Sequence, residues 1–289
     1  PALPDPRSPG HAISARPSTP PLTVLPLGIP ILYVPILVMI GTSFNASPLA
    51  GTWGGFSTTW YAELLQNQQL IDAAWLSLRI AFVAATASVI LGTLAAVALV
   101  RFTRFHGRML LRGMVTAPLV MPEIITGITQ LLLLITLFRF LGWPHRGFGT
   151  IVAAHVTFCT AYVTITVQSR LMTADRSLEE AAMDLGAGPV GAFMDTTLPI
   201  IAPALATSWL LSLTLSLDDL VISSFVSGPG ASTLPMLIYS EVKLGVSPDI
   251  NALATMIITV VGSGVVVAGW LMQRAERQRA LDQQLADQG

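Results

Sequence analysis

The chain of 289 residues is 53% hydrophobic and 11% charged, with a mean hydropathy of +0.68, against roughly 25% charge in soluble domains. That excludes a water-soluble globule and predicts an all-α integral membrane protein. A net charge of −1 gives no field for nucleic acid; the single Cys159 excludes an intramolecular disulfide and most cysteine metal sites, and the single Lys243, preceded by Val242, leaves no Walker A sequence with which this chain could bind ATP.

Residues 1–21 are rich in proline, carry Arg7, His11 and Arg16, and hold no run able to bury a core, so a disordered arm is expected. Six blocks then reach the roughly 20 apolar residues that cross a bilayer: about 22–44, 73–100, 113–138, 149–168, 198–226 and 250–272. They make 22–272 one six-span domain, followed by a tail over 273–289. Pro26, Pro30 and Pro35 predict a bent start to the first block. Cytoplasmic loops retain Lys and Arg. With Arg7, Arg16, Arg101, Arg104, Arg108, Arg112, Arg170, Arg176, Arg274, Arg277 and Arg279 on one side and Arg139, Arg146 and Lys243 on the other, both termini are predicted to be cytoplasmic.

The longest connector on the opposite side, about 45–72, has no basic residue, two acids (Glu63, Asp72) and the aromatics Trp53, Trp60 and Tyr61. These either form an interfacial aromatic belt, or Trp60 lines an entry vestibule where an indole face attracts an amine. In the third block Glu123 follows MVTAPLVMP, where Pro118 and Pro122 predict a break near the cytoplasmic half of the span, leaving freed carbonyls that only a cavity or a neighbour can satisfy. His155, in the fourth block, reads as a hydrogen-bonded bundle residue rather than a ligand.

Between the fourth and fifth blocks lies the longest amphipathic, non-spanning stretch, 177–199. Ser177 and Glu180 form an S-x-x-E capping box, which predicts a helix from Leu178 with Leu178, Ala181, Ala182 and Leu185 on one face. Gly186 can end it in a left-handed conformation, Pro189 suits the first turn of a second helix, and Leu198-Pro199 interrupts that one. Ala181 and Ala182 let a partner's backbone approach closely, while Glu180 and Asp184 offer charge. Glu180-Ala181-Ala182, then Gly186, then Leu198-Pro199 at this spacing resembles the EAA motif of ABC importer permeases. The resemblance implies that the loop docks into a cleft on an ATPase subunit, which binds the ATP and Mg that this chain does not.

Ionisable groups inside a span are costly and mark functional sites by default; here they are Arg79, Glu123, Asp218 and Asp219. In the fifth block Ser212, Ser216, Asp219 and Ser223 recur at i, i+4, i+7 and i+11, a continuous polar stripe beside Thr207, Thr214 and Asp218. Arg79 can pair with one aspartate as a buried salt bridge, which leaves two acids over. Adjacent carboxylates in low dielectric repel unless a cation lies near them, so a pathway for cations is the favoured reading and proton relay or structural pairing the alternatives. Gly262, Gly264 and Ala268 in the sixth block read as close helix packing. With no G-x-S-x-G and no H-E-x-x-H, an intramembrane enzyme is the least supported class.

Over about 22–280 the stretches AHVTFCTAYV, LSLDDLVISSFVSGPG, LPML and INALAT are similar, in order, to the polyamine (putrescine/spermidine) branch of the ABC importer permeases, nearest to its putrescine type. The resemblance implies a bacterial inner-membrane permease with a second permease subunit, a pair of ATPase subunits and a periplasmic polyamine-binding protein as partners. Matched by motif, it implies that Trp60, Glu123, Asp218 and Asp219 serve polyamine passage, with Ser216 on the same stripe. A permease for another solute would share the hairpin, and a proton-coupled transporter would use the acids without an ATPase.

Overall fold

The computed structural model describes residues 24–47, 52–102, 104–244, 249–260, 262–263, 270 and 274. The predicted arm over 1–21, the tail over 273–289 except Arg274, and most of the sixth block beyond Val260 lie outside the described residues. Among those residues the chain is helical, and its extended pairing is one isolated antiparallel bridge between Asn45 and Phe56. The structure divides into two units, residues 1–62 with 247–289, and residues 63–246.

In the first unit, α1 (Val24–Thr42) runs through Pro30 and Pro35. Asn45 organises the connector that follows. Its side-chain amide donates to the Thr52 carbonyl at 2.6 Å and its Oδ1 accepts from the Gly54 amide at 2.7 Å, while the Phe44 and Phe56 rings stack 5.3 Å apart. The connector leads into α2 (Thr59–Gln66). A helix over Asp249–Val260 is tied to the end of α1 by Asn251, whose amide donates to Thr42 Oγ1 at 3.2 Å.

The second unit holds α3 (Gln68–Arg101), α4 (Arg108–Val120), α5 (Glu123–Leu141), α6 (Phe148–Thr173), α7 (Ser177–Asp184), α8 (Pro189–Ala192), α9 (Leu198–Asp218), α10 (Val221–Val226) and α11 (Leu234–Leu244). Its core is α3 packed along α6 and α9. The buried face of α3 is built from small residues, Ala73, Ser77, Ala81, Ala84, Ala85, Ser88, Gly92 and Ala96, which lets the helix axes approach as bilayer-buried helices do. Ile80, Ile151, Phe158, Ile222 and Val226 fill one end of this core, and Ala96, Val163, Val167, Leu171 and Ile201 the other. Phe82, Ile90, Leu94, Leu132 and Leu133 point outward. Four helices among the described residues are long and apolar enough to cross a membrane: Gln68–Arg101, Glu123–Leu141, Phe148–Thr173 and Pro189–Asp218.

Three local expectations are corrected. The third block breaks at Met121-Pro122, but α4 passes through Pro118, so only one of its two prolines ends the helix. Pro122 does so because its ring drives Met121 to an extended conformation (φ −78°, ψ 137°). The fifth block is not one helix over 198–226: α9 stops at Asp218, Asp219 is extended (φ −66°, ψ 120°), and α10 begins at Val221. Nor does Leu198-Pro199 interrupt the preceding helix. Phe193–Thr197 widens into a π-helical turn that carries α8 into α9 without a gap, because an i→i+5 turn accommodates the amide that Pro199 lacks.

Candidate functional site: two broken helices and an exposed hairpin

The two helix breaks lie at one end of a packed pair. A Cβ on Gly127 of α5 would meet the Phe225 ring of α10 at 2.5 Å, and further along, Leu134 and Phe138 line a cavity with Pro229, the residue region just past α10. The helices therefore run parallel, and Glu123, first residue of α5, lies toward the same end as Asp218 and Asp219 at the α9–α10 break.

The three acids have different surroundings. The Asp219 side chain is only 8% exposed, and it caps α10. Its Oδ1 accepts from the Ile222 amide (3.2 Å), and its Oδ2 from the Ser223 amide (2.8 Å), the Ser223 hydroxyl (2.8 Å) and His155 Nε2 (3.1 Å). Ser216 is buried, its Oγ 2.6 Å from His155 Nδ1. The predicted stripe thus exists across the break, turned inward onto α6. Asp218 and Glu123, by contrast, are exposed, and neither carboxylate meets a side-chain donor or cation among the described residues. Asp218 also sits at the C-terminus of α9, where the helix dipole and uncapped carbonyls add negative potential. Trp60 belongs to the first unit, where its indole N–H donates to the Asn45 carbonyl at 2.7 Å. Arg79 makes no salt bridge with an aspartate among the described residues; its guanidinium lies 5.4 Å from the Phe148 ring centroid, on a cavity of about 630 Å³ that Asp72 and Trp75 also line.

The hairpin over 177–199 is an exposed tip. No capping box forms: α7 starts one residue earlier than the pattern predicts, at Ser177, because Asp175 Oδ1 accepts from the Ser177 amide at 2.9 Å. That amide, with the Ser177 hydroxyl, holds the Asp175 carboxyl below the usual carboxylate range. Glu180 is instead paired with Arg176 at 3.2 Å. At the other end Gly186 is left-handed (φ 97°), the Gly186 amide donates to the Met183 carbonyl and the Ala187 amide to the Ala182 carbonyl, which is a Schellman closure. Pro189 opens α8. Leu185 (90%) and Val190 (76%) are among the most exposed apolar side chains of the chain, beside the exposed Glu180, Ala181 and Asp184 and the half-buried Ala182. Leu198 is half-buried and Pro199 exposed at the start of α9. Glu179 pairs with Arg101, the last residue of α3, and joins the tip to the core.

Sequence reasoning read His155 as a hydrogen-bonded bundle residue, and the structure adds that it joins α6 to both sides of the α9–α10 break; it missed two roles, Arg101 receiving Glu179 and Asp175 capping α7. Nothing in local spacing points to the Arg101 pair, whose partners are separated by the whole of α4 to α6.

The helical arrangement is that of ABC transporter permeases. A solved bacterial ABC transporter involved in the import of the acidic polysaccharide alginate superposes with a TM-score of 0.66 at 18% identity, covering 88% of this chain and 93% of that one. The chain belongs to the family of binding-protein-dependent transport system inner membrane components, whose model matches residues 88–280. It is 56% identical over 269 residues to the putrescine transport system permease protein PotI of Escherichia coli (strain K12), covering 93% of this chain and 96% of that protein. To the spermidine/putrescine transport system permease protein PotC of the same strain it is 44% identical over 243 residues, covering 84% and 89%. These relatives are permease subunits of ABC importers, not enzymes.

Proposed function

We propose that this chain is the permease subunit of an ATP-driven polyamine importer, with putrescine as cargo. The observation that carries the reading is the pair of exposed carboxylates, Asp218 and Glu123, each without a cation partner among the described residues, at two helix breaks toward one end of the α5–α10 pair. Bare carboxylates in a membrane-buried setting are tolerated where a cation meets them, and a diamine brings two. The high identity to a putrescine permease supports the same cargo.

In this reading the chain crosses the inner membrane six times with both termini in the cytoplasm, following the excess of arginines on that side. It forms half of the pore with a second permease subunit. A periplasmic polyamine-binding protein delivers the diamine, and Trp60 presents its indole face to the entering ammonium. The cation passes Asp218 and Glu123, bound strongly enough to be attracted and weakly enough to leave. The hairpin docks on an ATPase dimer, which holds ATP and Mg. Glu180, Ala181, Ala182, Asp184 and Gly186 form the contact, Leu198 and Pro199 carry it into α9, and nucleotide-driven closure rocks the helices around the site.

The test is uptake by the complex reconstituted with its binding protein. Asp218→Asn and Glu123→Gln are each expected to lower putrescine uptake by about tenfold, the loss of one charge-assisted contact, with the complex still assembled and its basal ATPase activity retained. Unchanged uptake in both variants, or equal uptake of an uncharged diol of the same length, sinks the cation pathway. Loss of the ATPase from the purified complex on Glu180→Arg tests the docking surface separately.

A further inference from the structure

The polar stripe at the α9–α10 break has an occupant in this chain: the His155 ring. Its Nδ1 lies 2.6 Å from Ser216 Oγ, and its Nε2 lies 3.1 Å from Asp219 Oδ2 and 3.0 Å from Ser223 Oγ. One neutral tautomer satisfies every contact. Nε2, facing a carboxylate, carries the proton and donates; Nδ1 accepts from the Ser216 hydroxyl; the Ser223 hydroxyl donates to Asp219. His155 is 2% exposed and the Asp219 side chain 8%. With the amides of Ile222 and Ser223, Asp219 has four donors, enough to stabilise its charge with no cation from outside.

We propose that His155 is a positioning residue that withdraws Asp219 from the passage, holding it as the cap of α10 so that Asp218 is the one open carboxylate at this break. The proposal deepens the reading above and rests on it for the cargo. Of Glu123, Asp218 and Asp219, two then face a passenger, which matches the two ammonium groups of a diamine. His155 would set specificity through another residue: releasing Asp219 adds a third negative charge and favours a triamine. The same network explains why α9 and α10 keep a fixed break, since Ser216 lies before it, Asp219 in it and Ser223 after it, all on one ring.

The test uses the full complex in lipid nanodiscs and two independent readouts. The first is amide exchange over 221–224, which does not depend on cargo. His155→Ala is expected to speed exchange there by about tenfold, as a local opening becomes easier, while His155→Gln, whose amide can still donate to Asp219, keeps most of the protection. Protection that is unchanged in His155→Ala overturns the positioning role whatever the cargo is. The second is uptake of spermidine relative to putrescine. His155→Ala is expected to raise that ratio about tenfold, and His155→Ala combined with Asp219→Asn to return it to the value of Asp219→Asn alone, because a neutral cap needs no counter-donor. A histidine that merely packed would not be rescued by removing a neighbour's charge, so absence of rescue also overturns the proposal. If neither polyamine is taken up by the wild type, the cargo assignment above fails, and the exchange arm still decides the role of His155.

Discussion

At Gly92 the backbones of α3 and α6 come so close that a Cβ would lie 2.6 Å from Val163 Cγ1 and 3.1 Å from the Thr164 amide nitrogen. The second neighbour is backbone and cannot swing aside. Gly92→Ala is therefore expected to destabilise the protein by about 1–3 kcal/mol through overpacking, read as a lower thermal midpoint in detergent. No change in midpoint would mean that the helices slide apart freely, against the tight packing of their small-residue faces. Asp175 gives a second prediction at this scale. Its carboxyl is held below its unfolded pKa of about 3.9 by the Ser177 amide. The charged cap is then fully present above about pH 4 and is lost as the pH falls through the lower, folded value. Protection factors of the first α7 amides should fall only in that acid window. Asp175→Asn, which can make the same contact, should abolish the acid dependence, and Asp175→Ala should weaken protection at every pH; equal protection in wild type and Asp175→Ala would show the cap to be inert.

At the scale of elements, the hairpin turns on Gly186. A φ of 97° places any side chain there under strain, of roughly 1–2 kcal/mol by the usual left-handed penalty. An exposed two-helix tip with few buried residues has little with which to resist it. Gly186→Val is expected to unwind the end of α7 and to release the ATPase on purification, while α3, α6 and α9 stay folded by circular dichroism. Retention of the ATPase at wild-type level would place the docking contact elsewhere. The same elements show how far local pattern reaches. Gly186, Pro189 and Pro122 act through their own backbone, so their turn, helix start and break were legible. The start of α7 was missed because two caps competed: Asp175 supplied the bond that the Ser177–Glu180 box would have made, and Glu180 went to Arg176. The break at Asp219 was hidden by periodicity. Ser212, Ser216 and Ser223 keep helical spacing across it, and what stops the helix is a carboxylate capping its own successors with help from a histidine in another helix, a contact that spacing cannot express.

At the scale of the molecule, α3 joins the tip to the core. Its 34 residues extend about 50 Å. One end lines the cavity with Asp72 and Arg79, its middle packs along α6 and α9, and its last residue, Arg101, pairs with Glu179 of α7. Both side chains of that pair are largely sheltered, 15% and 17% exposed, so removing one partner leaves a desolvated charge rather than a hydrated one. Arg176–Glu180 is exposed (66% and 58%) and is the natural comparison, since surface pairs contribute little. If the Arg101–Glu179 pair transmits motion of the docked tip to α3, then Arg101→Ala and Glu179→Ala should each leave the ATPase bound yet lower coupled uptake by about tenfold. Arg176→Ala, breaking the exposed pair, should have a much smaller effect. The deciding variant is the exchange of charges, Arg101→Glu with Glu179→Arg, which preserves attraction while changing both residues. Recovery of uptake well above either single variant, at equal assembly, identifies the pair as the strut between tip and core; a double variant no better than the singles would assign transmission to the continuous π-turn path from α8 into α9 instead.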